Sequence, residues 1–375
     1  MIDEKEKLCA IALTQLKGVS LADLHRLCET VGSAAEVFEH RGHLLDVLPD
    51  ASPRLLQALE NVDDAWQRAE QEMKFMEGKA IQCIPFTDVS YPQRLWDCDD
   101  APLVLFYCGN ADLNHRRVIS VVGTRQCTPY GRDVCHHFIE ELQQADPEAL
   151  VVSGLAYGID ICAHRESLAC GLDTVAVLAH GLDRIYPSLH RDTAIKMTHQ
   201  GGLLTEFLSG TEPEKRNFVQ RNRIVAGLSD VTVVVESAER GGSLITASIA
   251  DSYGRGVFAF PGRVYDEHSK GCNRLIYNEM AHAIRSVEDL FKIMEWKPRE
   301  PKEPGKAVQQ ELFAKLTEDE QRLCDCLKEA EDLSVSQLVA ATGFAYSRVS
   351  VALFELNVKG VVDNLGGTRY RLLRR

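Results

Sequence analysis

Residues 150–160, Leu-Val-Val-Ser-Gly-Leu-Ala-Tyr-Gly-Ile-Asp, join a short apolar run to a turn that contains two glycines. A run that is apolar on both faces is typical of a buried strand in a parallel sheet. The segment after the turn is long enough for a helix, and the free amides of a helix N-terminus bind anions. This stretch therefore predicts a strand, a turn that can hold a phosphate, and a crossover helix.

The same unit recurs across residues 117–293. β-Branched runs alternate there with helix-length segments, and the other runs are Val118–Val122, Thr174–Leu178, Gly202–Thr205, Val231–Val235 and Gly256–Phe260. The alternation predicts a Rossmann-like α/β domain with a doubly wound, mostly parallel sheet. A ligand of such a sheet binds at the carboxyl ends of its strands.

The rest of the chain forms segments of different character. Residues 1–80 have the periodicity of an all-α module that is similar to a SAM or helix-hairpin-helix domain. A β-containing connector that docks on the core is expected over residues 81–116. Prolines among charged residues over 294–316 predict an extended linker. Three helices and a hairpin over 317–375 predict a winged helix.

The two flanking modules each leave alternatives open. In the helical module, the turn Gly18-Val19-Ser20 could present amides to a phosphate, or the module could serve packing or dimerisation. In the winged helix, the third helix offers only Arg348 and Lys359 as cations. That helix could read a DNA groove, or it could contact a protein or have a structural role.

The charge of the chain is unevenly distributed. Its net value of −13 at pH 7 argues against a protein that grips nucleic acid with its whole surface. Residues 1–115 carry a net charge of −10, residues 116–293 carry −3, and residues 294–375 carry zero. A local basic patch is therefore compatible with the last two thirds of the chain.

Composition predicts a cytoplasmic protein. No run of apolar residues is long enough to span a bilayer, and the charged stretch Met1–Lys7 stands where a signal peptide needs an apolar core. The twelve cysteines include no Cys-x-x-Cys pair. Reduced thiols that act mostly as small apolar residues fit this pattern, and no metal site is expected.

Two further strand ends lead into turns suited to a phosphate. Gly123-Thr124-Arg125 supplies an amide, a hydroxyl and a guanidinium that can pair with a phosphate or stack on a base. Gly241–Thr246 enters another helix. With Ser153–Asp160, three such turns lie at one edge of one sheet, which favours a bound ligand over three empty tight turns.

A fourth element is the run Lys215–Arg223, which contains four cations, one aromatic ring and two asparagines. Cations beside a stacking ring are typical of a groove for single-stranded nucleic acid, because phosphates pair while bases stack. A solvated charged face is the alternative interpretation of such a run. The apolar segment Ile224–Leu228 follows directly and places the run near the sheet.

The order of these motifs resembles that of the DNA processing protein A family, also called DprA or Smf. The motifs are Gly123-Thr124-Arg125, Ser153–Asp160 with His164, Arg221–Ser229, Gly242–Ala247, Pro261-Gly262 and Gly271–Ile276. They cover about residues 117–290. The helical and winged-helix modules match the longer members of this family in order and size.

The resemblance implies a cytoplasmic protein that binds and protects single-stranded DNA during natural transformation and loads the RecA recombinase onto it. It also implies a homodimer formed through the Rossmann-like domain, with no enzymatic activity, metal or other cofactor. Carried over by motif, the DNA-binding residues are Gly123, Thr124, Arg125, Ser153, Gly154, Lys215, Arg221, Asn222, Arg223, Gly242, Ser243, Thr246 and His282. Asp160 and Glu236 are expected to cap helices and position arginines, without acid or base catalysis.

Two positions depart from the family pattern. Val219 stands where the family commonly has proline, which is a small change in turn stiffness. His282 stands where many members have lysine, which predicts a weaker contact with DNA or a stronger pH dependence of binding.

Two other classes of function are alternatives to DNA binding. The sheet also resembles nucleotide-processing Rossmann proteins such as the cytokinin-activating phosphoribohydrolases, but Arg240–Thr246 lacks their full Pro-Gly-Gly-x-Gly-Thr loop and Glu236 precedes it. A scaffold that has kept the fold and lost its ligand is the third class. The presence of Arg125, Lys215, Arg221 and Arg223 argues against that scaffold.

Overall fold

A mostly parallel sheet organises the first part of the chain. The computed structural model describes residues 3–299, 317–328, 333–358, 362–364 and 369–372. The chain divides into two units, Met1–Glu300 and Pro301–Arg375. Within residues 3–299 the sheet has nine strands, β1 (Gln82–Pro85), β2 (Val104–Gly109), β3 (Val118–Val122), β4 (Leu150–Ser153), β5 (Thr174–Val177), β6 (Gly201–Thr205), β7 (Val231–Val234), β8 (Gly256–Ala259) and β9 (His282–Ala283).

The strand order is β1-β2-β6-β5-β4-β3-β7-β8-β9. Along the series β6-β5-β4-β3-β7-β8-β9, all neighbouring strands pair in parallel. Strand β2 pairs with both β1 and β6 in antiparallel fashion. Every residue of β3 to β7 is buried, as expected when helices cover both faces of a parallel sheet. The predicted doubly wound α/β fold is confirmed.

Helices precede the sheet and cross between its strands. They are α1 (Glu4–Thr14), α2 (Leu21–Val31), α3 (Ala34–His40), α4 (Leu44–Val47), α5 (Pro53–Glu60), α6 (Asp63–Met76), α7 (Gln93–Trp96), α8 (Pro129–Ala145), α9 (Ile159–Cys170), α10 (Arg191–Met197), α11 (Lys215–Gly227), α12 (Gly242–Ser252), α13 (Lys270–Tyr277) and α14 (Val287–Ile293). Several begin at a hydroxyl that accepts the amide three residues later, namely Ser20, Ser33, Ser52, Thr128 and Ser286. None of the described helices combines the length and the apolar character needed to cross a bilayer.

The N-terminal helices share a hydrophobic core with one face of the sheet. Ile11 and Leu27 belong to the same buried cluster as Val225 of α11 and Ala247 of α12. Buried Glu72 of α6 accepts hydrogen bonds from the amide and hydroxyl of Ser209, which follows β6. These contacts support the packing interpretation of the helical module.

The segment over 81–116 is more than a connector. Its strands β1 and β2 extend the sheet, and Phe106 to Gly109 pair with Gly202 to Thr205 of β6. The sequence does not reveal this, because Pro85, Pro92 and Pro102 interrupt its β-branched pattern.

Residues 294–299, expected to begin an extended linker, pack on the first unit. The amide of Arg299 donates to the carbonyl of Ala145 at 2.8 Å, and Arg117 donates to the carbonyl of Lys297 at 2.6 Å. The indole of Trp296 lies 5.6 Å from the ring of Phe291. Residues 300–316 lie outside the described part of the chain.

The second unit has the elements of a winged helix. They are α15 (Glu318–Lys328), β10 (Leu333–Ser334), α16 (Val335–Thr342), α17 (Tyr346–Val358), β11 (Val362–Asn364) and β12 (Arg369–Leu372), with strand order β10-β12-β11. The predicted winged-helix module is confirmed.

The third helix of this unit uses one of its two expected cations internally. The guanidinium of Arg348 donates twice to the carboxylate of Asp319, at 2.6 and 2.8 Å, and lies 4.6 Å from the ring centroid of Phe344. Lys359 lies outside the described residues. The placement of Arg348 supports a structural role over the reading of a DNA groove.

Candidate nucleic-acid interface

The strand order reverses between β3 and β7, and a cavity of about 710 Å³ opens at the carboxyl ends of these strands. A crevice at such a reversal is where ligands of doubly wound sheets bind, because the turns after the two strands diverge there. Ten of the thirteen predicted binding residues line this cavity, namely Gly123, Thr124, Arg125, Gly154, Lys215, Arg221, Asn222, Gly242, Ser243 and Thr246.

Two helix N-termini border the cavity. Helix α11 begins at Lys215 and helix α12 begins at Gly242, and both residues line the opening. No side chain caps the N-terminus of α12. Since the first amides of a helix lack intrahelical partners and carry a partial positive charge, they provide a site for a phosphate.

Three exposed cations add to this positive potential. Arg125, Lys215 and Arg240 all line the cavity. Within the described residues, no carboxylate lies at ion-pair distance from any of them. Their charges are therefore available to a ligand. Arg240 was missed by the sequence analysis, although it stands directly before the glycines of the third turn.

The cavity also contains a stacking ring. The guanidinium of Arg125 lies 5.2 Å from the ring centroid of Phe218, which is a cation–π contact. Phe218 lies one helical turn beyond Lys215 in α11, and its ring is half-buried. In the sequence its ring stands out within the basic run, but the resemblance does not include it among the DNA-binding residues. The arrangement places a flat apolar surface beside the guanidinium of Arg125, in a cavity that Lys215 also lines.

Arg221 forms the floor of the cavity. Its buried guanidinium donates to the carbonyl of Gly154 at 2.7 Å and to the carbonyl of Val177. Burial lowers the pKa of Arg221 to about 10, while the nearby Asp160 opposes this change. Arg221 thus joins the carboxyl ends of β4 and β5 and does not offer a free charge to solvent.

The acids near the cavity are engaged in the fold. Burial raises the pKa of Asp160, although Arg221 and the amide of Ala156 stabilise its charged form. The carboxylate of Glu236 accepts from the amide and the hydroxyl of Thr128, at 2.9 and 2.6 Å, at the start of α8. The placement of Glu236 agrees with a role at the start of helix α8, and that of Asp160 agrees with the positioning of Arg221.

Gly158 allows the first two turns to meet. Its φ of +79° is in the left-handed region, and a Cβ there would overlap the carbonyl of Thr124 and the backbone of Arg125. The next amide, of Ile159, donates to the Thr124 carbonyl at 3.2 Å. A glycine at this position therefore fixes Arg125 against the start of α9.

The polar residues at the rim hold one another in place. Asn222 donates to the carbonyl of Gly242 at 3.4 Å, which links α11 to the start of α12. Thr246 donates to the same carbonyl at 3.2 Å, and Ser243 donates to the hydroxyl of Ser237 at 3.0 Å. Thr124 accepts from the amide of Gln126 at 3.2 Å.

Three predicted binding residues lie elsewhere. Ser153 is fully buried and donates to the carbonyl of Val121 at 2.6 Å. Arg223 points to the opposite side of α11, where it pairs with Glu206 and lines a different cavity. His282 is exposed on edge strand β9, 5.7 Å from the ring of Phe258. None of these three side chains lines the cavity, and the expected pH effect at His282 stays a prediction.

A buried histidine beneath the site makes stability depend on pH. His164 is fully buried with Nδ1 2.7 Å from the hydroxyl of Thr174, and burial together with Arg221 lowers its pKa to about 3. In the unfolded chain the pKa is about 6.5, so below that pH only the unfolded state binds the proton. Stability is therefore lost as the pH falls from about 6.5 toward 3.

We expect the His164 contribution to fall by about 2 kcal/mol between pH 7 and about pH 5. Urea denaturation gives the free energy of unfolding at each pH. The prediction is measured as the difference between the wild type and His164→Gln in the slope of this free energy against pH. The exposed His282→Gln serves as the matched control and should keep the slope of the wild type. Equal slopes for the wild type and His164→Gln would contradict the prediction.

Comparison with known proteins places these features in a family. The sequence profile described as "DNA recombination-mediator protein A" matches residues 82–295, and the "DprA winged helix domain" matches residues 304–368. The chain is 30% identical to Protein Smf of Synechocystis, over 96% of this chain and 97% of that protein. It is 40% identical to DNA processing protein DprA of Bacillus subtilis, over 57% of this chain and 71% of that protein.

Solved structures give the same result. The X-ray structure of DprA from Streptococcus pneumoniae matches with a TM-score of 0.65 at 31% identity, over 80% of this chain and 100% of that chain. A structure of DNA processing protein A from Helicobacter pylori, described for its single-stranded DNA binding mode, matches with a TM-score of 0.52 at 26% identity, over 57% of this chain and 95% of that chain.

Proposed function

The chain belongs to the DNA recombination-mediator protein A family, and from this premise we propose that it binds single-stranded DNA in the cavity at the ends of β3 and β7. The observation that carries the proposal is a set of exposed cations, Arg125, Lys215 and Arg240, which have no ion-pair partner among the described residues and share a cavity with the ring of Phe218. The related Helicobacter pylori protein binds single-stranded DNA, which supports single-stranded DNA as the ligand.

In the proposed complex, phosphates pair with Arg125 and Lys215 and accept hydrogen bonds from the backbone amides at the start of α12. A base stacks on the ring of Phe218, which also contacts the guanidinium of Arg125. A duplex keeps its bases paired and stacked, so it cannot place a base on this ring. We therefore expect the site to select single strands, and contacts to phosphates and to the face of a base carry little sequence information.

We also propose that the protein acts without catalysis. Asp160 and Glu236 are engaged with Arg221 and Thr128, so neither is positioned as a free carboxylate toward a ribose. This supports binding over the phosphoribohydrolase alternative. Release of free base from nucleoside monophosphates, abolished by Glu236→Ala, would restore the enzyme interpretation.

Family membership also supports a proposal about the cellular role of this binding. We propose that the protein protects single strands during natural transformation and loads the RecA recombinase onto them in the cytoplasm. A homodimer through the Rossmann-like domain would place two such cavities on one strand. Linked sites raise the apparent affinity through effective concentration.

The first experiment compares a labelled single strand with the matched duplex at two salt concentrations. We expect tight, salt-sensitive binding that favours the single strand by at least about tenfold, because only the single strand adds base stacking to the phosphate contacts. Equal affinity for the two forms, or no binding, would contradict the proposed function.

A further inference from the structure

A second aromatic ring continues the stacking surface beyond the cavity. Tyr186 lies in the loop after β5, with its ring centroid 5.9 Å from that of Phe218 and the ring planes inclined by 57°. The side chain is 46% exposed. Arg125, Phe218 and Tyr186 thus form a continuous row from the cavity to the adjoining surface.

The loop holds this ring in place. The amide of Tyr186 donates to Nε2 of His180 at 3.2 Å, and His180 is itself buried. Farther along, Nδ1 of buried His190 lies 2.8 Å from the carbonyl of Leu155. Because the backbone is fixed at both ends, stacking on this ring needs little further ordering of the loop.

The surroundings of Tyr186 favour a base over a phosphate. The nearby cation Arg184 pairs with both Asp183 and Glu212, so its charge is already compensated. Leu189, three residues on, is an apolar side chain that is 76% exposed. A nucleobase has a flat apolar face that suits such a surface, whereas a phosphate would meet two carboxylates.

We infer that Tyr186 is a second base-stacking residue, which takes the nucleobase next to the one on Phe218. The inference rests on the proposed function and specifies the path of the strand. The strand leaves the cavity on the β5 side of the sheet, across Phe218 and Tyr186.

Tyr265 marks the opposite path. It follows β8, at the same edge of the sheet, and is 95% exposed. Within the described residues its ring contacts no other aromatic ring. The variant Tyr265→Ala therefore serves as a matched control, since it removes an exposed tyrosine on the β8 side of the sheet and not on the β5 side.

The test measures the affinity of the full chain for a labelled oligothymidine at two salt concentrations. We expect Tyr186→Ala to weaken binding about tenfold, with the same factor at both salt concentrations, because stacking involves no counterion release. Tyr186→Phe should bind like the wild type, and Tyr265→Ala should remain within about twofold of it. Tyr186→Leu keeps apolar bulk against Phe218 and should still lose the stacking.

The outcomes separate this inference from the function on which it rests. If the wild type does not bind the oligonucleotide, both fail. If the wild type binds and both Tyr186→Ala and Tyr186→Leu match it, only the role of Tyr186 is overturned. A loss confined to Tyr265→Ala would likewise overturn it in favour of the opposite path. Thermal melting identifies an unfolded Tyr186→Ala, in which case Tyr186→Leu decides.

Discussion

Replacing Arg125 and Lys215 together with alanine is expected to weaken single-strand binding about 100-fold at low salt. Both side chains are exposed in the cavity, and no carboxylate of the described residues pairs with them. A hydrogen bond to a charged group contributes about 1.5 kcal/mol or more, so two lost phosphate contacts cost about 3 kcal/mol. Fluorescence anisotropy with a labelled single strand measures the change.

Salt dependence identifies the lost contacts. Each phosphate contact with a single strand contributes about 0.7 to the slope of log affinity against log salt, so the double variant should lower the slope by about 1.4. Arg216 and Arg285 provide the control, because each is exposed and pairs with a neighbouring acid outside the cavity. Their double alanine variant removes the same charge and should bind within about threefold of the wild type.

The Arg125→Ala/Lys215→Ala variant also tests the proposed role in loading RecA. If the cavity delivers the strand to the recombinase, RecA filament formation on a protein-coated single strand should be stimulated by the wild type and not by the Arg125→Ala/Lys215→Ala variant.

If the control variant with Arg216 and Arg285 replaced by alanine lost binding equally, this would contradict the assignment of the cavity. It would indicate attraction by overall charge.

Replacing Arg221 with methionine is expected to destabilise the fold by about 3–5 kcal/mol. The side chain is buried, and its guanidinium donates to carbonyls at the ends of β4 and β5 while its charge opposes that of Asp160. Methionine has a similar volume but no donor and no charge, so it leaves the carbonyls of Gly154 and Val177 without this donor and removes the cation that stabilises charged Asp160. Urea denaturation of the wild type and the variant measures the difference.

A second substitution isolates the cause. Adding Asp160→Asn to Arg221→Met removes the unpaired acid and should recover at least about 1 kcal/mol of the loss. Arg221→Lys keeps the charge without the planar fork, so it should remain destabilised. A stable Arg221→Met variant that loses only DNA binding would instead make Arg221 a ligand-contacting residue.

Much of the architecture could be predicted from sequence. The runs at Val118–Val122 and Val231–Val235 are apolar on both faces, and such runs are stable only between two layers of helices. Parallel strands place their carboxyl ends at one edge of the sheet, so the turns that follow the strands all lie at that edge. The sequence therefore determined the sheet, the edge that carries the site, and most of the turns that line it.

Only the tertiary structure decided which side chains face the cavity. The run Lys215–Arg223 is helical, and successive residues of a helix are rotated by about 100°, so one run supplies several faces. The structure turns Lys215 and Asn222 to the cavity and buries Arg221 and Arg223. A buried arginine is uncommon unless it is paired, and its partners cannot be identified from the run itself.

Those partners come from distant parts of the chain. Asp160 and the carbonyls of Gly154 and Val177 compensate Arg221, and the loop after β5 brings Tyr186 to Phe218. Such contacts depend on the order of strands in the sheet, which places β4 and β5 beside one another and under α11. The sequence by itself determined which edge of the sheet carries the candidate site, whereas packing decided which of its cations are exposed in the cavity.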